Sequence, residues 1–351
     1  MQFIDCLQNQ LYLHPNLQPQ DIIKLCYQAA FGAEHLLSDF SFAERYFETE
    51  FQNTPCCDDP LFEEISSSVC RINLGAWKNT SMPSKWLYQM FINSAVVLSD
   101  GSDMFMKYLE YAETFVKTAN VSFTLDDWHI YLTHYKELGM PSVHHSEQYC
   151  TQEHPAYRIV HKRFVNLIPL LKKAAVLQKP DSVKIISIDG KAASGKSTMA
   201  NDLKLILNGS VIHMDDFFLP PELRTKERFA KPGGNIHYER FQSEIFPSLF
   251  QKKSFEYQAF DCHTMSMGNM RLIDDSLWRI VEGSYSHHPC FGSYADIKVF
   301  SDISVKKQME RILNRNGEKM VERFRKEWIP LEEKYYDFYK IKENADIIIR
   351  S

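Results

Sequence analysis

The chain has 351 residues, 44% hydrophobic and 24% charged, with a formal net charge of -5 at pH 7. That length accommodates two domains with separate cores, and the negative balance excludes nucleic-acid binding by bulk electrostatics while leaving local basic patches open. No apolar run reaches the about 18 residues of a membrane span, and Met1-Gln2-Phe3-Ile4 lacks the basic-then-apolar start of a secretory signal, so a cytoplasmic protein is expected.

The eight cysteines show no CxxC spacing, which favours reduced thiols over a disulfide framework or a zinc site. The adjacent Cys56 and Cys57 sit in a polar, proline-bounded loop and carry no assigned role.

In chain order, apolar spacing predicts a helix over 20–38, a shorter one over 42–51, and a strand or hairpin arm over 65–74, where Val69, Ile72 and Leu74 bracket Arg71 and Asn73. Further helix starts lie at Ser81-Met82-Pro83-Ser84 and at Ser102-Asp103. Thr124-Leu125-Asp126-Asp127 reads as a capping box opening a helix that stops near Gly139. His154-Pro155 begins the last helix of this half, with Tyr157, Val160, Phe164, Ile168 and Leu171 as its apolar stripe. This makes 1–178 a mainly helical domain.

Its histidines raise the question of a metal: His35 beside Glu34, His129 with His134, His144-His145 with Glu147, and His154. A spacing of five separates His129 and His134 onto different helix faces, and neither HExxH nor HxxEH occurs, so solvated or capping histidines are expected. Tyr157, Arg158 and His161, if on one helix, are candidates to line a ligand cleft. Nothing in this half assigns it a reaction. Proline and charge mark a boundary near residue 180.

The second half opens on the β-branched strand 183–189, then Gly-Lys-Ala-Ala-Ser-Gly-Lys-Ser over 190–197, then a helix over 196–207 stopped by Asn208-Gly209. Strand, glycine-bearing turn and helix start are the context in which backbone amides converge on phosphates. Gly190, Ala192, Ala193, Ser194, Gly195, Lys196, Ser197 and Thr198 are therefore expected to hold a nucleotide. Lys196 would reach the β and γ phosphates and Ser197 would ligate Mg²⁺. A second strand over 210–214 ends in Asp215-Asp216, at the sheet edge where ligands of doubly wound folds sit. One carboxylate would accept the proton of a substrate hydroxyl and the other, Asp216, would orient it or hold a metal-bound water; capping of the next turn is the plainer alternative.

Together, the 190–198 segment and Met214-Asp215-Asp216-Phe217-Phe218-Leu219-Pro220 resemble the uridine kinase, nicotinamide riboside kinase and phosphoribulokinase group of P-loop kinases. The resemblance implies that Asp215 is the catalytic base, that Glu282 of Val281-Glu282-Gly283 lies near Mg²⁺, and that Arg311 and Arg315 belong to a lid gripping the phosphoryl groups. A solvated helix face carries the same arginine spacing. The segments 328–332 and 345–349 resemble the group's post-lid helix and closing strand, so the likeness spans 183–350.

Two features depart from uridine kinases. Phe260-Asp261-Cys262-His263 lacks the arginine that follows in them, and Asp189 before the loop is closer to cytidylate-kinase-like sequences. Candidate substrate contacts are His237, Tyr238 and Arg240 in the 232–241 segment, and His263.

The expected architecture is thus a P-loop NTPase-type α/β domain over 179–351, a parallel sheet with flanking helices, preceded by the mainly α-helical domain. The expected function is transfer of the γ phosphate of ATP, with Mg²⁺, to a hydroxyl of a nucleoside-like small molecule. No membrane or nucleic-acid partner is expected, and homo-oligomerisation stays open. The alternative is an ATP-sensing regulator in which the α/β domain controls the helical one.

Overall fold

The computed structural model describes residues 2–33, 40–95, 101–177 and 182–350. The chain divides into two compact units, Met1–Ala175 and Val176–Ser351. Among the described residues, no helix is long and apolar enough to cross a membrane.

Unit 1 packs helices around a three-stranded antiparallel sheet ordered β1-β2-β3, with β1 Phe62–Glu64, β2 Val69–Asn73 and β3 Tyr157–His161. Helix Gln2–Leu13 was not expected; its Phe3, Cys6, Leu7 and Leu11 are buried at helical spacing. The helix expected over 20–38 runs from Pro19 to Phe31. Gly32, at φ 63°, turns its N–H back onto the Gln28 carbonyl, a left-handed closure that glycine makes without strain. Residues 34–39, with Glu34 and His35, lie outside the described residues. Thr124 forms the expected capping box at the start of Leu125–Glu137.

The stripe read as one helix from His154 is a correction. Residues 157–161 are a strand paired along all of β2, from Val69 opposite His161 to Asn73 opposite Tyr157. Only after it come the helices Lys162–Val165 and Ile168–Val176. Burial of both Ile159 and Val160 suits a covered strand, and the i, i+3, i+4 spacing arose by chance across the strand-to-helix junction. Strand alternation also splits the expected cleft: Tyr157 and His161 share one face and Arg158 takes the other. Arg158 pairs with Glu50 at 2.7 Å, while His161 accepts the Arg163 N–H as a helix cap.

In unit 2 the central strand is β4 (Lys184–Gly190), buried along its whole length. The other strands are β5 (Ser210–His213), β6 (Phe255–Asp261), β7 (Ser266–Ile273), β8 (Trp278–Glu282), β9 (Ile297–Asp302) and β10 (Ile347–Arg350). Five of them form a parallel sheet ordered β10-β9-β4-β8-β5, and β6-β7 make a separate antiparallel hairpin. Helices such as Lys196–Leu207 and Ile329–Tyr339 flank the sheet, which is the P-loop NTPase-type α/β arrangement. After β4 the chain goes first to one side of it (β5, β8) and then to the other (β9, β10). That reversal places a crevice at the carboxyl ends of the strands beside β4.

Candidate active site

The site begins where β4 ends. Gly190 has φ 135°, and a Cβ there would lie 2.1 Å from the Ser301 carbonyl oxygen of β9, so only glycine lets the loop start against that strand. Ala193 and Gly195 also have positive φ, 56° and 95°. Left-handed residues interspersed in a tight loop turn successive N–H groups inward, the geometry of an anion-binding concavity. Helix Lys196–Leu207 follows at once, so its amino end faces the same space. Lys196 Nζ folds back onto the Gly190 and Lys191 carbonyls, at 2.7 and 3.0 Å. Ser197 and Thr198 are exposed at the helix start.

Two neighbouring strand ends supply carboxylates. Glu282, the last residue of β8, is buried; it accepts the Ser197 hydroxyl at 3.2 Å and contacts His213 Nδ1 at 2.6 Å. The bond to Glu282 raises the His213 pKa against the opposing effect of burial. Gly283, at φ 132°, packs so closely that a Cβ would sit 2.8 Å from Met214 Cβ. This contact holds the turn after β5 against the end of β8. Asp215 stands in that turn, Met214–Phe217, with its side chain open to solvent. Surrounding protein still removes part of its hydration, and that desolvation, followed by the Glu282 charge, raises its pKa; Lys196 and His213 oppose the rise. Asp216 is different. It is buried, accepts the Tyr257 hydroxyl at 2.7 Å and lies 3.5 Å from Arg271 Nε, which ties it to the β6-β7 hairpin.

The two arginines also differ. Helix Val305–Asn316 brings Arg311 to the loop, where NH1 donates to the Ala193 carbonyl at 3.1 Å; Arg315 instead bonds Asn316 Oδ1 at 2.9 Å on its own helix end. Of the candidate substrate contacts, His237 pairs with the acidic turn, its N–H donating to the Phe217 carbonyl at 2.7 Å. Tyr238 is sandwiched, with the Arg228 guanidinium 4.0 Å from its ring centre and the His288 ring 5.0 Å away. Arg240 lies 4.3 Å over the Phe217 ring and bonds Glu244 and the Gln258 carbonyl, so its guanidinium is committed to the fold. His263 is exposed in the hairpin turn. Its neighbour Cys262 has a thiol pKa raised by burial and also by the Asp215 charge, which puts that turn within electrostatic reach of Asp215.

Two buried carboxylates to which the sequence assigned no role shape the loop. Asp189 accepts the N–H groups of Gly190, Tyr285 and His287 and the Tyr335 hydroxyl, at 2.7, 3.1, 2.9 and 2.9 Å. Glu332, on helix Ile329–Tyr339, accepts the Ala192 N–H at 2.9 Å and the Ser284 hydroxyl at 2.7 Å. Gln308 grips the other end of the same residue, donating to the Ala192 carbonyl at 3.0 Å. The available signal was an acid on an otherwise aromatic helix face, one turn before Tyr335 and Tyr336.

No protein-family model matches the chain, and no curated protein matches it. Among solved structures it is similar to a possible uridine kinase from Bacillus stearothermophilus, 21% identical, covering 53% of this chain and 98% of that one at a TM-score of 0.40. It is also similar to a candidate fructose transport system kinase from Silicibacter sp. TM1040, 19% identical, covering 52% and 98% at a TM-score of 0.41. The fold of unit 2 stands on its own strand order and loop geometry.

Proposed function

We propose that unit 2 is a cytoplasmic, ATP-dependent phosphotransferase acting on a hydroxyl of a nucleoside or related small metabolite. The observation that carries this reading is the convergence of the 190–197 loop, Ser197 with Glu282, and the solvent-open Asp215 at one edge of the parallel sheet. Lys196 and the loop amides would hold the phosphates. Ser197 and Glu282 would hold Mg²⁺: a hydroxyl and a carboxylate oxygen 3.2 Å apart are the hard oxygen donors that ion takes, with water completing its shell. ATP supplies the phosphoryl group and Mg²⁺ neutralises charge on it.

In this reading Asp215 takes the proton of the acceptor hydroxyl as its oxygen bonds to phosphorus and ADP departs. Its raised pKa and its freedom from structural bonds suit a base. Asp216, tied to Tyr257 and Arg271, holds the turn from behind; a role on a metal-bound water is secondary to that. Arg311, whose NH1 donates to the Ala193 carbonyl of the loop, would act as the lid cation, and Arg315 would need to leave Asn316 to join it. His237, whose N–H bonds the Phe217 carbonyl of the acidic turn, Tyr238 and His263 are the candidate substrate contacts.

The test is ADP release measured across nucleosides, nucleotides and sugars with Mg-ATP. A convincing acceptor-dependent rate establishes the enzyme. ATP binding with no acceptor-dependent release across the panel favours the regulator, in which nucleotide occupancy controls unit 1.

A further inference from the structure

β5 and β8 run in parallel, and the last rung of their ladder sets His213 opposite Glu282. Paired residues of a sheet project from the same face, and the Ser197 bond shows that this is the face turned to helix Lys196–Leu207. The two oxygens of Glu282 have separate partners. Oε2 accepts the Ser197 hydroxyl at 3.2 Å, and Oε1 lies 2.6 Å from His213 Nδ1. An ionised carboxylate only accepts, so the hydrogen of the second bond sits on Nδ1. Among the described residues, the Glu282 carboxylate has no other hydrogen-bond partner, and no hydrogen bond reaches His213 Nε2.

Glu282 is 4% exposed, and a buried carboxylate stays charged only with its oxygens satisfied. A single hydrogen bond would leave the group free to rotate about its last side-chain bond, carrying Oε2 away from Ser197. A second bond on the opposite oxygen fixes the plane of the carboxylate, as outer partners do for metal-binding carboxylates generally. The histidine is itself held. Its backbone N–H donates to the Tyr257 hydroxyl at 3.4 Å, and the next residue, Met214, is packed against Gly283. Nothing in the strand asks for a histidine here: Val211, two residues earlier on the same face, is apolar, and the His213 side chain is 33% exposed. The ring's one hydrogen bond is the one to Glu282.

We infer that His213 is a positioning residue of the phosphate-transfer site: its Nδ1–H holds Oε1 of Glu282 so that Oε2 is presented beside the Ser197 hydroxyl, where the cation of Mg-ATP is taken up. This rests on the reading of Ser197 and Glu282 as the Mg²⁺ ligands. Without the imidazole the glutamate is present but no longer aimed. The metal's share of ATP binding then falls, while the hold of Lys196 and the loop amides on the phosphates is unchanged.

The test measures the ATP affinity of the full chain by calorimetry in excess Mg²⁺ and again in EDTA, for the parent, Glu282→Gln, His213→Leu and His213→Asn. The ratio of the two affinities is the gain due to the metal. An asparagine amide puts an N–H donor where Nδ1 stood, whereas leucine has similar bulk and no donor. His213→Leu should cut the gain by about tenfold or more, with affinity in EDTA within about threefold of the parent, and His213→Asn should recover most of it. An undiminished gain in His213→Leu, beside a gain lost in Glu282→Gln, overturns the inference and leaves the metal site standing. A gain undiminished in Glu282→Gln, or absent from the parent, overturns the metal-site reading and this inference with it. Equal losses in His213→Leu and His213→Asn, or an affinity in EDTA that falls as far as the affinity in Mg²⁺, also overturn it, since the ring would then serve the fold. His213→Ala stands in for a leucine variant that does not fold, and failure of both to fold assigns the ring to the fold and refutes the inference.

Discussion

Asp215→Asn separates a kinase from a protein that only grips ATP. Among the described residues no hydrogen bond or ion pair reaches the Asp215 carboxylate, and the side chain is open to solvent. The isosteric amide therefore removes a base without breaking a bond, and stability should change by less than about 0.5 kcal/mol. The sign of any change follows from linkage: a raised folded-state pKa means the native state holds the proton more tightly. The ionised carboxylate therefore costs stability, and that cost appears as pH rises from the unfolded pKa through the folded one. The amide removes it, so the variant melts level with or slightly above the parent at neutral pH. Acceptor-dependent turnover should drop by roughly 10² to 10⁴, and the acidic limb of its pH profile should vanish, while ATP affinity moves by less than about tenfold. Asp216→Ala makes the contrast, because it strands the buried Tyr257 hydroxyl and Arg271 and should cost about 1–3 kcal/mol of stability. Coupled ADP release over pH 5–9, calorimetric ATP titration and thermal melting read all three quantities. Wild-type turnover in Asp215→Asn refutes the assignment of the base; loss of ATP binding moves Asp215 to the metal.

Lys196→Ala and Ser197→Ala should each weaken Mg-ATP binding or turnover by about tenfold or more, and calorimetry with unchanged affinity and turnover in both would sink the phosphate-loop reading. Glu332→Ala frees the Ala192 N–H and the Ser284 hydroxyl; ATP affinity should fall by about five- to fiftyfold and stability by about 1–3 kcal/mol, with Glu332→Gln restoring part of both, and an unaltered Kd would show that the loop keeps its shape unaided. Arg311→Ala should lower turnover more than Arg315→Ala, since only Arg311 already touches the loop; equal losses would show that Arg315 swings in during the cycle.

The sequence by itself determined the parts whose causes are local. The β-branched run of β4, the glycines at 190 and 195, the Lys-Ser helix start and the Asn208 stop all lie within a few residues of what they build, as does the capping box at Thr124. The acidic pair after β5 was legible for the same reason, whereas Glu282 at the end of β8 was pointed to by the resemblance. Tertiary structure alone decided the rest. Residues 157–161 have the spacing of a helix but the partners of a strand, and β2, which overrides the pattern, lies far back in the chain. The resemblance set Asp215 apart from Asp216 as the base, but only packing decided that Tyr257 and Arg271 engage Asp216 while Asp215 stays exposed. Glu332 meets the Ala192 N–H across 140 residues, and Lys24 meets Val143 across 119. Periodicity cannot report such contacts: it records which face of an element is apolar, whereas the partner of a buried charge is fixed only when distant segments pack.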